Sequence, residues 1–284
     1  TDEDTLYQLS FTGLYSDPVT VQVLDKTSTA DKKIWNSLTY GTDYTANRTD
    51  GTVTFVTAPG KSPIEGEDNV RITASKFIAE YFLRVESCTC AAVYGVGGIR
   101  NRLFVSGNSS YPGRDWYSEM DDFTYFGESH YCDVAPGSNV VGYSLVDGLL
   151  AAHCEGERDA PVVLRGGEML DGEAVFPIKK ILRGAGACSK RGFGVLGDEP
   201  LFLTKSGVFA LTEHDTTGER YLQRRSWFID KALCAENGLE HTAFCPWKNF
   251  MLIAVNDKAY LLDGGQKTYE SAAPYSTFQY ECYY

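Results

Sequence analysis

The chain repeats one local pattern: a short apolar segment, a tight polar turn and a second short apolar segment. The clearest copy has Asp147-Gly148 between the apolar segments 140–146 and 149–153. Glycine accepts the positive φ angle that tight hairpin turns need, so this pattern predicts a β-hairpin. The other copies join segments 102–106 to 114–118, 201–204 to 208–211, and 250–255 to 259–262.

The spacing of these hairpins constrains the architecture. The turn centres, near residues 110, 147, 206 and 257, are 37, 59 and 51 residues apart. A repeat of about 40–50 residues built from short strands is typical of a β-propeller blade. We therefore predict β-propeller-like hairpin repeats over residues 77–284, while the uneven spacing leaves a stacked or irregular β-array open.

Residues 1–76 have a different pattern. Segment 20–24 alternates polar and apolar residues, Thr49-Asp50-Gly51 separates the β-rich segments 44–48 and 52–56, and 70–73 is a further strand-like segment. Short alternating strands at this spacing predict a small, Ig-like β-sandwich. The linker that follows contains an apolar stretch that fits a short helix or a buried strand. The predicted fold class is thus all-β, with a sandwich followed by propeller-like repeats.

The charge balance limits the possible partners. The 284 residues carry a net charge of −12, whereas a general nucleic-acid-binding surface is basic. We therefore expect no sequence-specific nucleic acid partner, and we interpret Arg224-Arg225 and similar basic pairs as solvated surface. The sequence has no apolar stretch long enough to predict a membrane span. We expect its eight cysteines to be free thiols, because a chain this large does not need disulfides to stabilise its core.

One aromatic region is the candidate interface or ligand-binding site. Tyrosine and tryptophan are enriched at protein interfaces, and aromatic rings also stack on sugars, although packing of the loop against its own core is a third interpretation. We expect these side chains to be exposed in and around one long loop. The candidate residues are Tyr111, Arg114, Asp115, Trp116, Tyr117, Tyr125 and Phe126.

Other motifs do not predict a catalytic, cofactor or metal site. Gly95-Val96-Gly97-Gly98 lacks the third glycine of a dinucleotide-binding loop and precedes a strand. Glu119, Asp121 and Asp122 are close in sequence but do not have the spacing of an EF-hand. We therefore expect no cofactor, no metal and no catalytic residue.

Several motifs between residues 85 and 284 resemble a family of tailed bacteriophages, the stabilization or head–tail (tail-hub-like) structural proteins. The first is segment 102–118, with Arg-Leu-Phe-Val-Ser-Gly-Asn at its start and Tyr111-Pro112 and Trp116-Tyr117-Ser118 further on. The second is segment 122–126, where Phe123 stands in place of the usual proline. Segments 197–211 and 223–229 are similar to further motifs of the family.

This resemblance implies a non-enzymatic structural protein of a phage or prophage virion, assembled in the bacterial cytoplasm and located at the head–tail junction or tail hub. It implies portal, adaptor or tail subunits as partners and a homo-oligomeric ring in the particle. The chain begins at Thr1 and ends on Cys282-Tyr283-Tyr284 directly after strand-like residues, so we expect a fragment of a longer polypeptide with an incomplete repeat array. Two alternatives remain: a carbohydrate-binding adhesin or host-recognition module, and a propeller-fold glycoside hydrolase.

Overall fold

The computed structural model describes residues 4–213, 220–269 and 278–283 and is predominantly β. Strands hold 48% of the residues and helices 7%, and the strands form several small antiparallel sheets. The chain divides into two compact units, Thr1–Phe82 and Leu83–Tyr284, and the division falls inside helix α1 (Ala79–Glu86). Within the described ranges, no helix is both long and apolar enough to span a lipid bilayer.

The first unit contains two three-stranded antiparallel sheets that contribute to one core. One sheet has the order β1-β5-β4 and the other β3-β2-β6. The predicted hairpin around Thr49-Asp50-Gly51 is confirmed, since β4 pairs with β5 across it. Gly51 has a φ of 66°, and a Cβ there would lie 2.1 Å from the carbonyl oxygen of Phe11. The strands are β1 (Leu6–Gln8), β2 (Thr20–Leu24), β3 (Trp35–Ser37), β4 (Tyr44–Asn47), β5 (Thr52–Phe55) and β6 (Val70–Thr73).

The second unit contains four sheets of four strands each, and their strands follow one another in sequence order. The first sheet is β7 (Cys90–Tyr94), β8 (Arg102–Ser106), β9 (Arg114–Tyr117) and β10 (Tyr131–Asp133). The second is β11 (Val140–Val146), β12 (Leu149–Cys154), β13 (Ala160–Arg165) and β16 (Ile178–Gly184), with the separate hairpin β14 (Glu168–Leu170) and β15 (Glu173–Val175) inserted before β16.

The third and fourth sheets repeat this arrangement. The third is β17 (Phe193–Leu196), β18 (Glu199–Thr204), β19 (Gly207–Glu213) and β20 (Arg220–Arg224). The fourth is β21 (Ala243–Trp247), β22 (Phe250–Val255), β23 (Lys258–Tyr269) and β24 (Phe278–Tyr283). The short helix α2 (Asp230–Leu233) and a 3-10 turn (Leu239–His241) lie between them.

The four predicted hairpins of this unit are confirmed as the pairs β8–β9, β11–β12, β18–β19 and β22–β23. In the β11–β12 turn, Asp147 and Gly148 have φ angles of 45° and 72°. Two positive φ angles in a two-residue loop are the geometry of a type I′ turn, which matches the right-handed twist of the flanking strands. Three of these hairpins form the two central strands of their sheet, and β11–β12 lies at the edge of the second sheet.

Successive sheets of the second unit pack through opposite faces of their strands. Along β12, Leu150 and Ala152 contact the cluster shared with the first sheet, while Ala151 contacts the cluster shared with the third. Along β18, Phe202 faces the second sheet and its neighbour Leu203 faces the fourth. Because successive side chains of a strand point to opposite faces, each inner sheet contributes to two cores. The second and third sheets are therefore apolar on both faces.

Candidate functional site

Strand β9 divides the predicted site between the two faces of the first sheet. Asp115 and Tyr117 point toward the second sheet, and Arg114 and Trp116 point away from it, because side chains alternate along a strand. The register agrees, since Tyr117 pairs with Phe104 of the core shared with the second sheet. The seven candidate residues therefore do not form one surface.

Asp115 lies in the core and forms a buried ion pair with Arg165. Both side chains are at most 1% exposed, and Arg165 Nη1 donates to Asp115 Oδ2. Arg165 Nε also donates to the Phe176 carbonyl at 3.0 Å, and the Tyr143 hydroxyl lies 3.4 Å from Asp115 Oδ2. Burial raises the pKa of Asp115, and the Arg165 charge opposes that rise. The expectation that Asp115 belongs to a surface site is wrong, because the inward face of β9 places its carboxylate in the core.

Trp116 is also buried, with 5% of its surface exposed. It pairs across the sheet with Val105 and Tyr131, and the Tyr111 ring packs edge-on against it at a centroid distance of 5.5 Å. The expectation of an exposed Trp116 is wrong, because segment 107–113 folds back and places Tyr111 over it. Tyr117 is half-buried and stacks on His130 at 4.9 Å.

Arg114 lies near the surface, where Asp133 and two tyrosine rings of the same chain contact its guanidinium. Its Nε and Nη2 donate to the two carboxylate oxygens of Asp133 at 2.7 and 2.9 Å. The guanidinium lies 4.2 Å from the Tyr131 ring centroid and 5.5 Å from that of Tyr111. The hydrogen bonds from Arg114 lower the pKa of Asp133. The Arg114 guanidinium therefore covers one face of the Tyr131 ring and one face of the Tyr111 ring. A planar ligand that stacked on either of these faces would have to displace the guanidinium.

The 119–126 loop carries the exposed part of the predicted site. Tyr125 is 56% exposed and Phe126 is half-buried, and the same loop exposes Met120 (56%) and Phe123 (43%). The loop therefore carries three exposed apolar side chains, those of Met120, Phe123 and Tyr125.

Internal hydrogen bonds hold this loop in shape. The Glu119 amide donates to the Tyr125 carbonyl at 2.8 Å, and Asp122 Oδ1 accepts from the amide and hydroxyl of Thr124. Arg102, which is largely buried, contacts Glu119 Oε1 at 3.0 Å and anchors the start of the loop. The exposed apolar side chains therefore stand on an ordered backbone.

A cleft of about 680 Å³ lies where the second and third sheets meet the α2 region. Its polar lining includes Glu155, Glu157, Lys205, Glu236 and Glu240. Glu236 accepts hydrogen bonds from Lys258 and Tyr260 at 2.5 and 2.9 Å, which lower its pKa. A catalytic general acid requires a raised pKa, so the environment of this carboxyl opposes that role.

Two half-buried thiols also line the cleft. Burial raises the pKa of Cys188 to about 12 and that of Cys234 to about 11. A thiol reacts as its thiolate, so both are poor nucleophiles at neutral pH. All eight cysteines lie in the described part of the chain and are free. In that same part, no group of three or more His, Cys, Asp or Glu side chains is arranged to hold a metal ion.

The structure reveals a second buried ionic cluster that sequence reasoning missed. Arg225 is fully buried and donates from Nε and Nη2 to Glu199 at 2.9 and 2.6 Å, and from Nη1 to the Phe278 carbonyl at 2.9 Å. Tyr280 donates to the same carboxylate at 2.9 Å. The expectation that both Arg224 and Arg225 are solvated is therefore wrong for Arg225. Arg225 directly follows strand β20, and adjacent residues of extended backbone point to opposite sides. That alternation is the signal by which the sequence could have distinguished Arg225 from Arg224.

No family model matches the chain, and no curated protein matches it.

Proposed function

We propose that this protein is a non-enzymatic structural component that acts through protein–protein contacts. The observation that supports the proposal is the 119–126 loop, which exposes Met120, Phe123 and Tyr125 on a backbone held by its own hydrogen bonds. An ordered loop loses little conformational entropy on binding, so its apolar side chains can contribute to affinity. The loop also contains segment 122–126, one of the segments that resemble the phage structural proteins.

We propose that the four sheets of the second unit are blades of a propeller-like array. Their first strands support this arrangement, because β7 neighbours β11, β11 neighbours β17, and β17 neighbours β21. Such neighbours are expected where first strands gather around a common axis. In the same way, the two sheets of the first unit are proposed to form a small sandwich around their shared core.

The partners proposed for the loop are other virion proteins of a tailed phage, such as portal, adaptor or tail subunits, in a symmetric ring. The net charge of −12 is compatible with a ring whose surface does not bind DNA. A glycan is the competing ligand. It finds less support in the geometry, because Arg114 already lies over the rings of Tyr131 and Tyr111.

Immunogold electron microscopy of phage particles tests this proposal. The wild-type chain and the double variant Phe123→Ser/Tyr125→Ser are compared with a matched control, Met169→Ser/Leu170→Ser, which changes two exposed apolar side chains of the β14–β15 hairpin. We expect label at the head–tail junction for the wild type and the control, and loss of label for the loop variant with an unchanged melting temperature.

Two results would overturn the proposal. The first is label on cell envelopes with none on particles. The second is binding of the wild-type chain on a glycan array that the loop variant loses, because this would make the loop a carbohydrate site.

A further inference from the structure

The loop that follows α2 contains the sequence Asn237-Gly238, the only Asn-Gly pair in the chain. Gly238 has φ and ψ angles of 76° and 31°, in the left-handed region that favours glycine. Because glycine has no Cβ, its amide nitrogen is less shielded than that of any other residue that could follow an asparagine. Both residues line the cleft described above. The fold therefore places an unshielded amide directly after an asparagine, where water has access.

The side chain of Asn237 is free to turn. It is exposed, and among the described residues neither its carboxamide nor the Gly238 N–H has a hydrogen-bond partner. Six of the nine asparagines of the chain, in contrast, donate from Nδ2 to an oxygen of the same chain. The Cγ atom of Asn237 can therefore approach the Gly238 nitrogen without the loss of a hydrogen bond.

The main chain on either side of the Gly238 nitrogen is held in place. Asn256 Nδ2 donates to the Asn237 carbonyl oxygen at 2.8 Å, and the His241 amide donates to the Gly238 carbonyl oxygen at 2.9 Å. In a trans peptide the N–H points away from the preceding carbonyl, so the Gly238 N–H points away from Asn256. These contacts fix the position of the nitrogen and leave it unblocked.

We propose that Asn237 is a site of spontaneous deamidation, in which the Gly238 nitrogen attacks the side-chain carbonyl of Asn237. A bond forms between the Gly238 nitrogen and Asn237 Cγ, and the bond between Cγ and Nδ2 breaks. Nδ2 leaves as ammonia, together with the proton from the Gly238 nitrogen, and a five-membered succinimide remains. Water then adds to one of its two carbonyl carbons, and the bond from that carbon to the Gly238 nitrogen breaks. The product is aspartate or isoaspartate, depending on which carbonyl reacts.

The reaction changes both the charge and the backbone of the cleft. Each product adds one carboxylate to a lining that already holds four glutamates and one lysine. In isoaspartate the main chain also runs through the former side chain and is one carbon longer, and the former carbonyl of residue 237 becomes a free carboxylate. The peptide carbonyl to which Asn256 donates is then lost from the main chain. The proposal does not depend on the 119–126 loop, so its failure leaves the proposed function untouched.

Incubation of the full chain at physiological pH and temperature, followed by peptide mapping with mass spectrometry, tests the proposal. We expect the peptide with Asn237 to gain about 1 Da and to contain both aspartate and isoaspartate. Two exposed asparagines of the same sample are matched controls. Asn36 precedes a small serine but donates to Asp25, and Asn249 has a free side chain in the described structure but precedes the bulky Phe250. Both are expected to react at least about tenfold more slowly, which a modest rise in the activation barrier provides.

The variant Gly238→Ala tests the attacking atom. Its Cβ would lie 3.5 Å from Asn256 Oδ1, an ordinary contact, so we expect the variant to fold, as circular dichroism would show. The added methyl group shields the nitrogen and should slow the reaction at least about tenfold. An intact Asn237 in the wild type, or an unchanged rate in the folded variant, would overturn the proposal. A wild-type product that contains aspartate without isoaspartate would also overturn it, because direct hydrolysis by water gives aspartate alone.

Discussion

His153 of β12 is the residue whose replacement best tests the packing of the second and third sheets. It is 0% exposed, and neither ring nitrogen has a hydrogen-bond partner in the described structure. The rings of Phe202 and Phe193 lie 4.4 and 5.3 Å from its own. Burial lowers the pKa of His153 from 6.5 to about 3, because the apolar surroundings disfavour the charged imidazolium.

This pKa shift sets the sign and size of a pH effect on stability. His153 binds a proton near pH 6.5 in the unfolded chain but only near pH 3 in the folded chain. The contribution of His153 to the free energy of unfolding is therefore fully present above pH 6.5 and is lost as the pH falls from 6.5 to 3. One pKa unit corresponds to about 1.4 kcal/mol, so the loss attributable to His153 is about 2 kcal/mol at pH 5 and at most about 5 kcal/mol below pH 3.

The perturbation is His153→Leu, a substitution of similar volume that does not titrate. At pH 8 the variant is expected to be at least as stable as the wild type, because it removes two unpaired buried polar atoms. At pH 5 the variant's advantage over the wild type in free energy of unfolding should be about 2 kcal/mol larger than at pH 8. Taking the difference between the two proteins at each pH cancels the titration of all other groups.

The assay is urea unfolding at pH 8, 7, 6 and 5 at constant ionic strength, in a Trp35→Phe background. Trp35 is the one tryptophan of the first unit, so fluorescence then reports only the second unit. His241→Leu, at an exposed position, is the matched control and should follow the wild type. Equal pH dependence in the His153→Leu variant and the wild type would refute the reasoning.

Three further predictions concern the first two sheets and are checked by thermal and chemical unfolding followed by circular dichroism. Asp115→Asn leaves the buried Arg165 without its countercharge and should cost about 3–5 kcal/mol; a loss below about 1 kcal/mol would contradict the ion pair. Trp116→Ala should cost about 3–5 kcal/mol as a core truncation, and a near-neutral effect would mean that the side chain is exposed after all. Gly113→Ala should destabilise the protein strongly, because the new Cβ would lie 1.9 Å from a carbonyl oxygen. The control is Gly148→Ala, which has a similar φ and open space around its Cβ and should cost only about 1 kcal/mol. Equal losses of stability in the two variants would refute the close contact at Gly113.

The hairpins were predictable from the sequence because their signal is local. Asp147-Gly148 provides the backbone angles of the turn, and the apolar segments on either side provide the strands. The outer strands were harder to predict, because β10 is three residues long and β24 is joined to β23 by a long connection. Their pairing depends on a sheet edge that exists only once the hairpin has formed.

The site was predictable only in part, because burial depends on contacts distant in sequence. Two of the aromatic residues near 111–126 do lie together, as the edge-on contact of Tyr111 with Trp116 shows, while Tyr117 points to the opposite face of the sheet. Which of them are exposed depends on how segment 107–113 folds over β9. The partners of the buried charges lie further away, since Arg165 is 50 residues from Asp115 and Arg225 is 26 residues from Glu199. No local pattern contains such pairs.

The sequence-ordered strands of the four sheets have a consequence for synthesis on the ribosome. Most strand neighbours in each sheet are also neighbours along the chain, so their pairing closes short loops and keeps contact order low. Each sheet is complete soon after its fourth strand leaves the exit tunnel, and it then offers an apolar template to the next. Folding is thus expected to advance from the first sheet to the fourth at the pace of translation. A pause in translation between residues 220 and 240 would prolong the time for which the third sheet is exposed to solvent, because the fourth sheet that covers it begins only at Ala243.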